Sequence, residues 1–282
     1  MADAVSEQAA TQPSKREEQA LVIARRRAEE KVPRHRFGVA YLVLAALLGA
    51  AVGLFVVFVT DSGSGGGGPW STWKPSETGV KRLNQIASYV SDEYATASGR
   101  KLAVVYSTPP VVQDTQGQAI PVRAIAVTPG LPGQTAADAD ILDATGTWAY
   151  ILCGVGTNCS IPEKPTLARF DLVRREALEL ALYTFKYESQ VDSVLTYVPP
   201  AAKAATGAQT DTVIFLRRGD VHSALDAPLG RTLTPARGSL RPGQMTARDL
   251  RAVRALTQSR VFSYRPDKLQ DGSPILVLAP KR

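Results

Sequence analysis

The sequence predicts an α+β domain tethered by a single N-terminal transmembrane helix. Three observations carry that prediction. Phe37–Val59 is an uncharged apolar run, a glycine-rich break follows it, and helical periodicities downstream alternate with pairs of strand-like runs.

The apolar run spans 23 residues, FGVAYLVLAALLGAAVGLFVVFV. At about 1.5 Å per residue it would be roughly 35 Å long, enough to cross a hydrocarbon core of about 30 Å with some tilt. Arg25, Arg26, Arg27, Lys31, Arg34 and Arg36 precede it, whereas Asp61 and uncharged glycines follow. This bias places the N-terminus in the cytoplasm and the C-terminal part outside the plasma membrane. The tail and the apolar stretch are both too long for a cleaved signal peptide, so an uncleaved signal-anchor is expected. Gly49 and Gly53 form a GxxxG pattern that would let two such helices pair, which makes them the candidate homodimer contact.

The organisation that follows is a cytoplasmic tail (1–36), the span (37–59), a Gly/Ser linker with Trp70 and Trp73 (60–74), and an extracytoplasmic domain (75–282). A subdomain split is allowed near 200–245. The linker SGSGGGGP imposes little backbone preference. Trp70 and Trp73 are expected to pack on the domain behind it.

Within the domain, Ser76–Ala97 reads as a helix, with Val80, Leu83, Ile86, Ala87 and Val90 on one face. Leu102–Tyr106 and Ile120–Val127 read as two arms of a long hairpin around Asp114, Gln116 and Gly117. Asp138–Asp143 reads as an acidic loop before a strand at Trp148–Cys153. Thr166–Tyr187 is the clearest helix, with a wide apolar face that should be mostly buried. Strand-like runs at Ser193–Val198 and Thr212–Leu216 come next. A helix at Thr246–Thr257 opens with Thr246 and Asp249 in a capping-box pattern. Arg260–Tyr264 and Pro274–Leu278 close the chain.

Helix–strand–strand thus recurs three times, and the first strand of each set ends in Tyr with Pro close behind: VVYSTPP, LTYVPP and FSYRP. Proline is expected to stop each strand. The fold class is therefore helices packed on a mainly antiparallel sheet, arranged as three helix–strand–strand units.

The two cysteines, Cys153 and Cys159, bracket a Gly-containing loop outside the membrane, where a disulfide is expected. Their spacing is not the Cys-x-x-Cys of a redox site, and too few ligands accompany them for zinc. His222 is the one histidine beyond the span. Asp220 would share its strand face, but no nucleophile elbow accompanies them. Asp138/Asp140 and Glu176/Glu179 are the carboxylate pairs that could serve hydrolysis, and solvated surface acids are the reading preferred for both. No phosphate-binding loop is present, so no catalytic residue, cofactor or metal is expected.

Charge is uneven. The 282 residues carry 33 Lys and Arg against 26 Asp and Glu, a net +7, of which the tail accounts for +2. Between Arg217 and Arg260 there are nine arginines and three acids. Arg248, Arg251 and Arg254 fall opposite Leu250, Val253 and Leu256 on one helix, as a candidate surface for an anionic envelope component or an acidic protein. No nucleic acid is expected, because no stacking aromatics are interleaved. The functional expectation is a non-enzymatic binding or assembly module of the cell envelope. A structural subunit of a larger membrane complex is the alternative, and an envelope hydrolase the weaker one.

Overall fold

A computed structural model describes residues 69–113, 118–129, 138–200, 211–236 and 238–281. The predicted span Phe37–Val59, with Gly49 and Gly53, lies outside these residues. Among the described residues no helix is long and apolar enough to cross a membrane.

The chain enters at Trp70 and Trp73 and forms helix α1 (Gly79–Asp92) and strand β1 (Ala103–Thr108). A short hairpin of β2 (Val111–Gln113) and β3 (Ala119–Pro121) precedes β4 (Ala124–Val127), β5 (Asp140–Asp143) and β6 (Thr147–Gly154). Helix α2 (Leu167–Tyr187) leads to β7 (Ser193–Tyr197) and β8 (Thr212–Arg217). Two short helices, α3 (His222–Asp226) and α4 (Leu229–Thr232), precede α5 (Ala247–Thr257), and β9 (Val261–Lys268) and β10 (Pro274–Pro280) close the fold.

Eight strands form one sheet in the order β1-β6-β7-β8-β9-β10-β4-β5. Its β6–β7 and β10–β4 pairs are parallel and the other neighbours are antiparallel. The mixed α+β class with a mainly antiparallel sheet is thus the one expected. β7 and β9 flank the 200–245 stretch in sequence, and both lie in this sheet.

Alternation of side chains divides the core. Tyr150, Leu152, Val194, Ile214, Leu216 and Val261 point to one face and pack under Ile86 and Val90 of α1, Leu178 and Leu182 of α2, and Val253 of α5. Ala149, Leu195, Val213, Phe215 and Phe262 point to the other face. They meet Ile125 of β4 and Leu276 and Leu278 of β10 in a second cluster that runs across neighbouring strands.

Several expectations change. β1 and β4 are not arms of one hairpin: β1 pairs with β6, and β4 with β10 and β5. Only β2 and β3 turn back on each other. The run Ile120–Val127 breaks because Val122 donates to Pro110 O and Arg123 to Pro274 O, out of the hairpin ladder. Asp140–Asp143 is an edge strand rather than a loop. β9 continues through Pro266, since β8 leaves its ladder at Ser263 and the missing N–H has no partner to fail. The second and third helix–strand–strand sets each carry an antiparallel pair, β7–β8 and β9–β10. The first does not, because β1 and β4 sit far apart in the sheet.

The helix starts follow the caps. Thr166 Oγ1 accepts from Arg169 N at 3.2 Å, and Thr246 Oγ1 from Asp249 N at 3.1 Å. The Asp249 carboxylate does not complete a capping box. It turns inward, to Thr234 and Arg175. Cys153 and Cys159 form a disulfide. Gly154 is required beside it, since an added Cβ would come 2.4 Å from the Ser160 carbonyl oxygen.

Candidate functional site

Helix α2 carries charges into the core. Of its 21 residues 16 are buried, including Arg174, Arg175, Glu176 and Glu179. The expectation that Glu176 and Glu179 are solvated surface acids is therefore wrong. α1 and α5 cover both flanks of α2, so the sides that periodicity marks as polar are also enclosed.

The charges form two sets. In the first, Arg254 Nη2 and Arg174 Nη1 reach the buried Asp171 carboxylate at 2.6 and 3.3 Å. In the second, Arg175 Nη1 meets Asp249 Oδ2 at 2.6 Å, its Nη2 donates to Thr234 O at 2.6 Å, and its Nε donates to the Tyr94 hydroxyl at 3.2 Å. Tyr94 in turn donates to Glu179 Oε2. Glu176 is fully buried, and neither of its carboxyl oxygens has a hydrogen-bond partner.

These environments split the acids. Burial pushes Glu176 well above the usual carboxylate range, and the neighbouring Glu179 adds to the shift. Burial also raises Glu179, against the opposing effects of Arg175 and the Tyr94 hydroxyl. Burial alone would raise Asp249 too, but hydrogen bonds from Thr234 and the Arg175 guanidinium outweigh it and hold Asp249 low. Glu93, half-buried at the end of α1, is raised by burial and by Asp92.

Glu179 and Glu93 line a cavity of about 260 Å³. Its walls include the rings of Trp70, Tyr89 and Tyr183, and α4 with the following turn closes the far side through Leu229 and Leu233. Tyr183 is the hub of the aromatic wall. Trp70 meets it edge-on at 5.3 Å, Tyr89 at 5.6 Å and Trp73 at 5.2 Å, while Trp73 stacks on Tyr89 at 3.9 Å. Both tryptophans therefore pack on the domain, as expected. A backbone bond from Leu229 N to Trp70 O, 2.7 Å, pins the entering chain to α4. Among the described residues, no Lys, Arg or His lines the cavity.

A second, wider cleft of about 500 Å³ opens where β5 turns into β6, lined by Asp143, Thr145, Gln190, Asp192 and Arg217. Asp140 pairs with Arg217 of this cleft at 2.7 Å.

The other sequence candidates are dispersed. His222 starts α3 with its side chain 74% exposed and pairs only with Asp226, 3.1 Å away. Asp220 instead accepts from Arg217 N and pairs with Arg260. The arginine-rich segment is largely spent inside the domain. Arg218 donates to three carbonyl oxygens at and just after the end of α2, those of Phe185, Glu188 and Val191. Arg248 donates to Gly230 O and Thr234 Oγ1. Arg254 belongs to the Asp171 set. Arg251 is exposed and makes no ion pair among the described residues.

Sequence reasoning missed the cavity, although Glu176 and Glu179 beside Arg175 in an otherwise apolar helix were a visible signal. Comparison with known protein families, curated proteins and solved structures finds no match.

Proposed function

We propose that this protein is a non-enzymatic binding module of the cell envelope. Residues 37–59 hold it in the plasma membrane with the N-terminus in the cytoplasm, and the Trp70 cavity captures a small ligand outside. The observation that carries the reading is that the cavity wall begins where the tether ends. Pro69, Trp70 and Ser71 line the cavity directly behind the Gly run. Ten residues lie between Val59 and Trp70 in the sequence. The Cys153–Cys159 disulfide suits an oxidising, extracytoplasmic compartment.

The cavity also has the features of a ligand site. It is concave, mostly apolar, and carries a few convergent polar groups with displaced pKa values. A size just under the roughly 300–1,000 Å³ of drug-sized pockets suits a small ligand or a headgroup. The hydrolase alternative is less favoured because His222 is exposed on α3 and pairs with Asp226, away from both clefts' lining residues.

The test is proximity labelling from the outer domain in intact cells, with Gly230→Trp as the blocked form. Gly230 is exposed on α4, and an added Cβ would meet only Pro235 Cδ, at 3.9 Å. The larger side chain is therefore expected to fill the mouth without disturbing the core. Loss of specific neighbours in the variant supports capture through the cavity. An unchanged neighbour set would refute it.

A further inference from the structure

We infer that the Trp70 cavity takes an organic ammonium ion, a positively charged nitrogen with short apolar substituents, on its aromatic walls and the Glu93 and Glu179 carboxyl groups. This rests on the cavity being the ligand site.

The walls suit that chemistry. Trp70 and Tyr89 both stand nearly perpendicular to Tyr183, at 88° and 76°, and all three rings line the cavity. Aromatic faces carry negative quadrupole density, which attracts a cation and tolerates the methyl or methylene groups it carries. Trp70 already shows this affinity toward Lys186, whose Nζ lies 5.7 Å from its ring centroid; Lys186 is not among the lining residues.

The charge balance points the same way. Glu93, Glu179 and Asp249 share one buried guanidinium, that of Arg175, which is already committed to Asp249, Thr234 and Tyr94. An anionic ligand would meet Glu93 and Glu179, with no cation among the described lining residues to offset them. A neutral apolar ligand would offer Glu93 and Glu179 nothing beyond the hydrogen bond that Glu179 already accepts from Tyr94. A cation beside Glu93 and Glu179 favours their ionised forms and gains charge-assisted contacts that neither other ligand class offers.

The test uses the full-length chain in maltoside micelles and isothermal titration with choline and ethanolamine. The control is 3,3-dimethylbutan-1-ol, which has the shape of choline with carbon in place of the charged nitrogen. The expected result is saturable, one-site binding of at least one ammonium probe, with the neutral control about tenfold weaker or worse. Trp70→Ala and Glu93→Gln should each weaken binding several-fold, and Gly230→Trp should abolish it. Glu93 is half-buried, so Glu93→Gln keeps the test decisive even where Glu179→Gln fails to fold.

Failure of both ammonium probes, equal binding of choline and its neutral analogue, or unchanged binding in Glu93→Gln and Gly230→Trp would overturn the assignment. If those failures coincide with neighbours that Gly230→Trp still loses in cells, only the ligand class falls. If the neighbours are unchanged too, the binding-module reading falls with it. Competition by phosphatidylcholine bicelles would identify a lipid headgroup as the source of the ammonium group, and absence of competition a soluble compound. Either result upholds the chemistry.

Discussion

Arg175 Nη1 lies 2.6 Å from Asp249 Oδ2, and both side chains are almost fully buried. This pair ties the central helix α2 to α5, and Thr234, which bonds to both residues, adds the turn that closes the Trp70 cavity. Removing one partner strands a buried charge. Asp249→Ala should therefore destabilise the domain by about 3–5 kcal/mol, measured by denaturant unfolding of the full chain in micelles. Arg175→Met combined with Asp249→Leu should recover much of that loss. A double variant as unstable as the single one would show that the pair stabilises by more than mutual compensation.

Stability should fall as pH rises above the range of a free carboxyl. Glu176 and Glu179 have folded-state pKa values raised above their unfolded ones, so the folded protein binds the extra protons. Their contribution is complete below an unfolded pKa of about 4.5 and is lost as pH climbs through the folded values. Each group can add up to about 1.4 kcal/mol per pH unit to the slope. Glu93 acts in the same direction but more weakly, being partly exposed. The lowered groups Asp249, Asp143 and Glu163 act below that window. Thermal unfolding of the wild type and Glu176→Gln from about pH 5 to 8 checks this. The variant should show the shallower slope, and identical slopes would mean that Glu176 is already ionised in the folded protein.

Much of the architecture was legible in the sequence. Helices α1, α2 and α5 announce themselves through apolar periodicity and, for α2 and α5, threonine caps. The strand runs after α2 and α5 show instead as short, continuous apolar stretches, and β7, β8 and β10 are buried on both faces. What stayed hidden was set by distant partners. β5 reads as an acidic loop because its two aspartates face outward along a sheet edge, where only β4 gives them a strand partner. β1 finds β6 some forty residues away, and no local pattern encodes that choice. The acids of α2 look solvated because helical periodicity reports one buried stripe, whereas α1 and α5 enclose the flanks as well.

The same limit governs the arginines. Their excess is obvious in the sequence, but their use depends on which carbonyls and carboxylates the fold brings near. Arg218 gathers the carbonyl of Phe185 in the last turn of α2 and those of Glu188 and Val191 in the segment that follows. Arg218→Ala should cost about 3 kcal/mol, and Arg218→Lys should recover only part of it, because an ammonium cannot reproduce the guanidinium fork. Arg251→Glu should stay within about 0.5 kcal/mol of wild type. Chemical unfolding of the three variants separates the structural arginine from the free one.

The Cys153–Cys159 bridge closes a short loop, so its loss should be tolerated. Replacing both cysteines by serine should lower stability by about 2 kcal/mol, or roughly 5 °C in Tm, without changing the cavity. Scanning calorimetry gives the Tm shift. Collapse of the fold in that variant would mean that the loop also holds the ends of β6 and α2 in place.

The most direct test of the account is native mass spectrometry of the full-length chain, extracted gently from its own membranes, beside Gly230→Trp. The account predicts a non-covalent adduct of small, defined mass on the wild-type protein that is missing from the variant. Equal masses for the two proteins, after allowing for the substitution, would contradict a ligand in the Trp70 cavity.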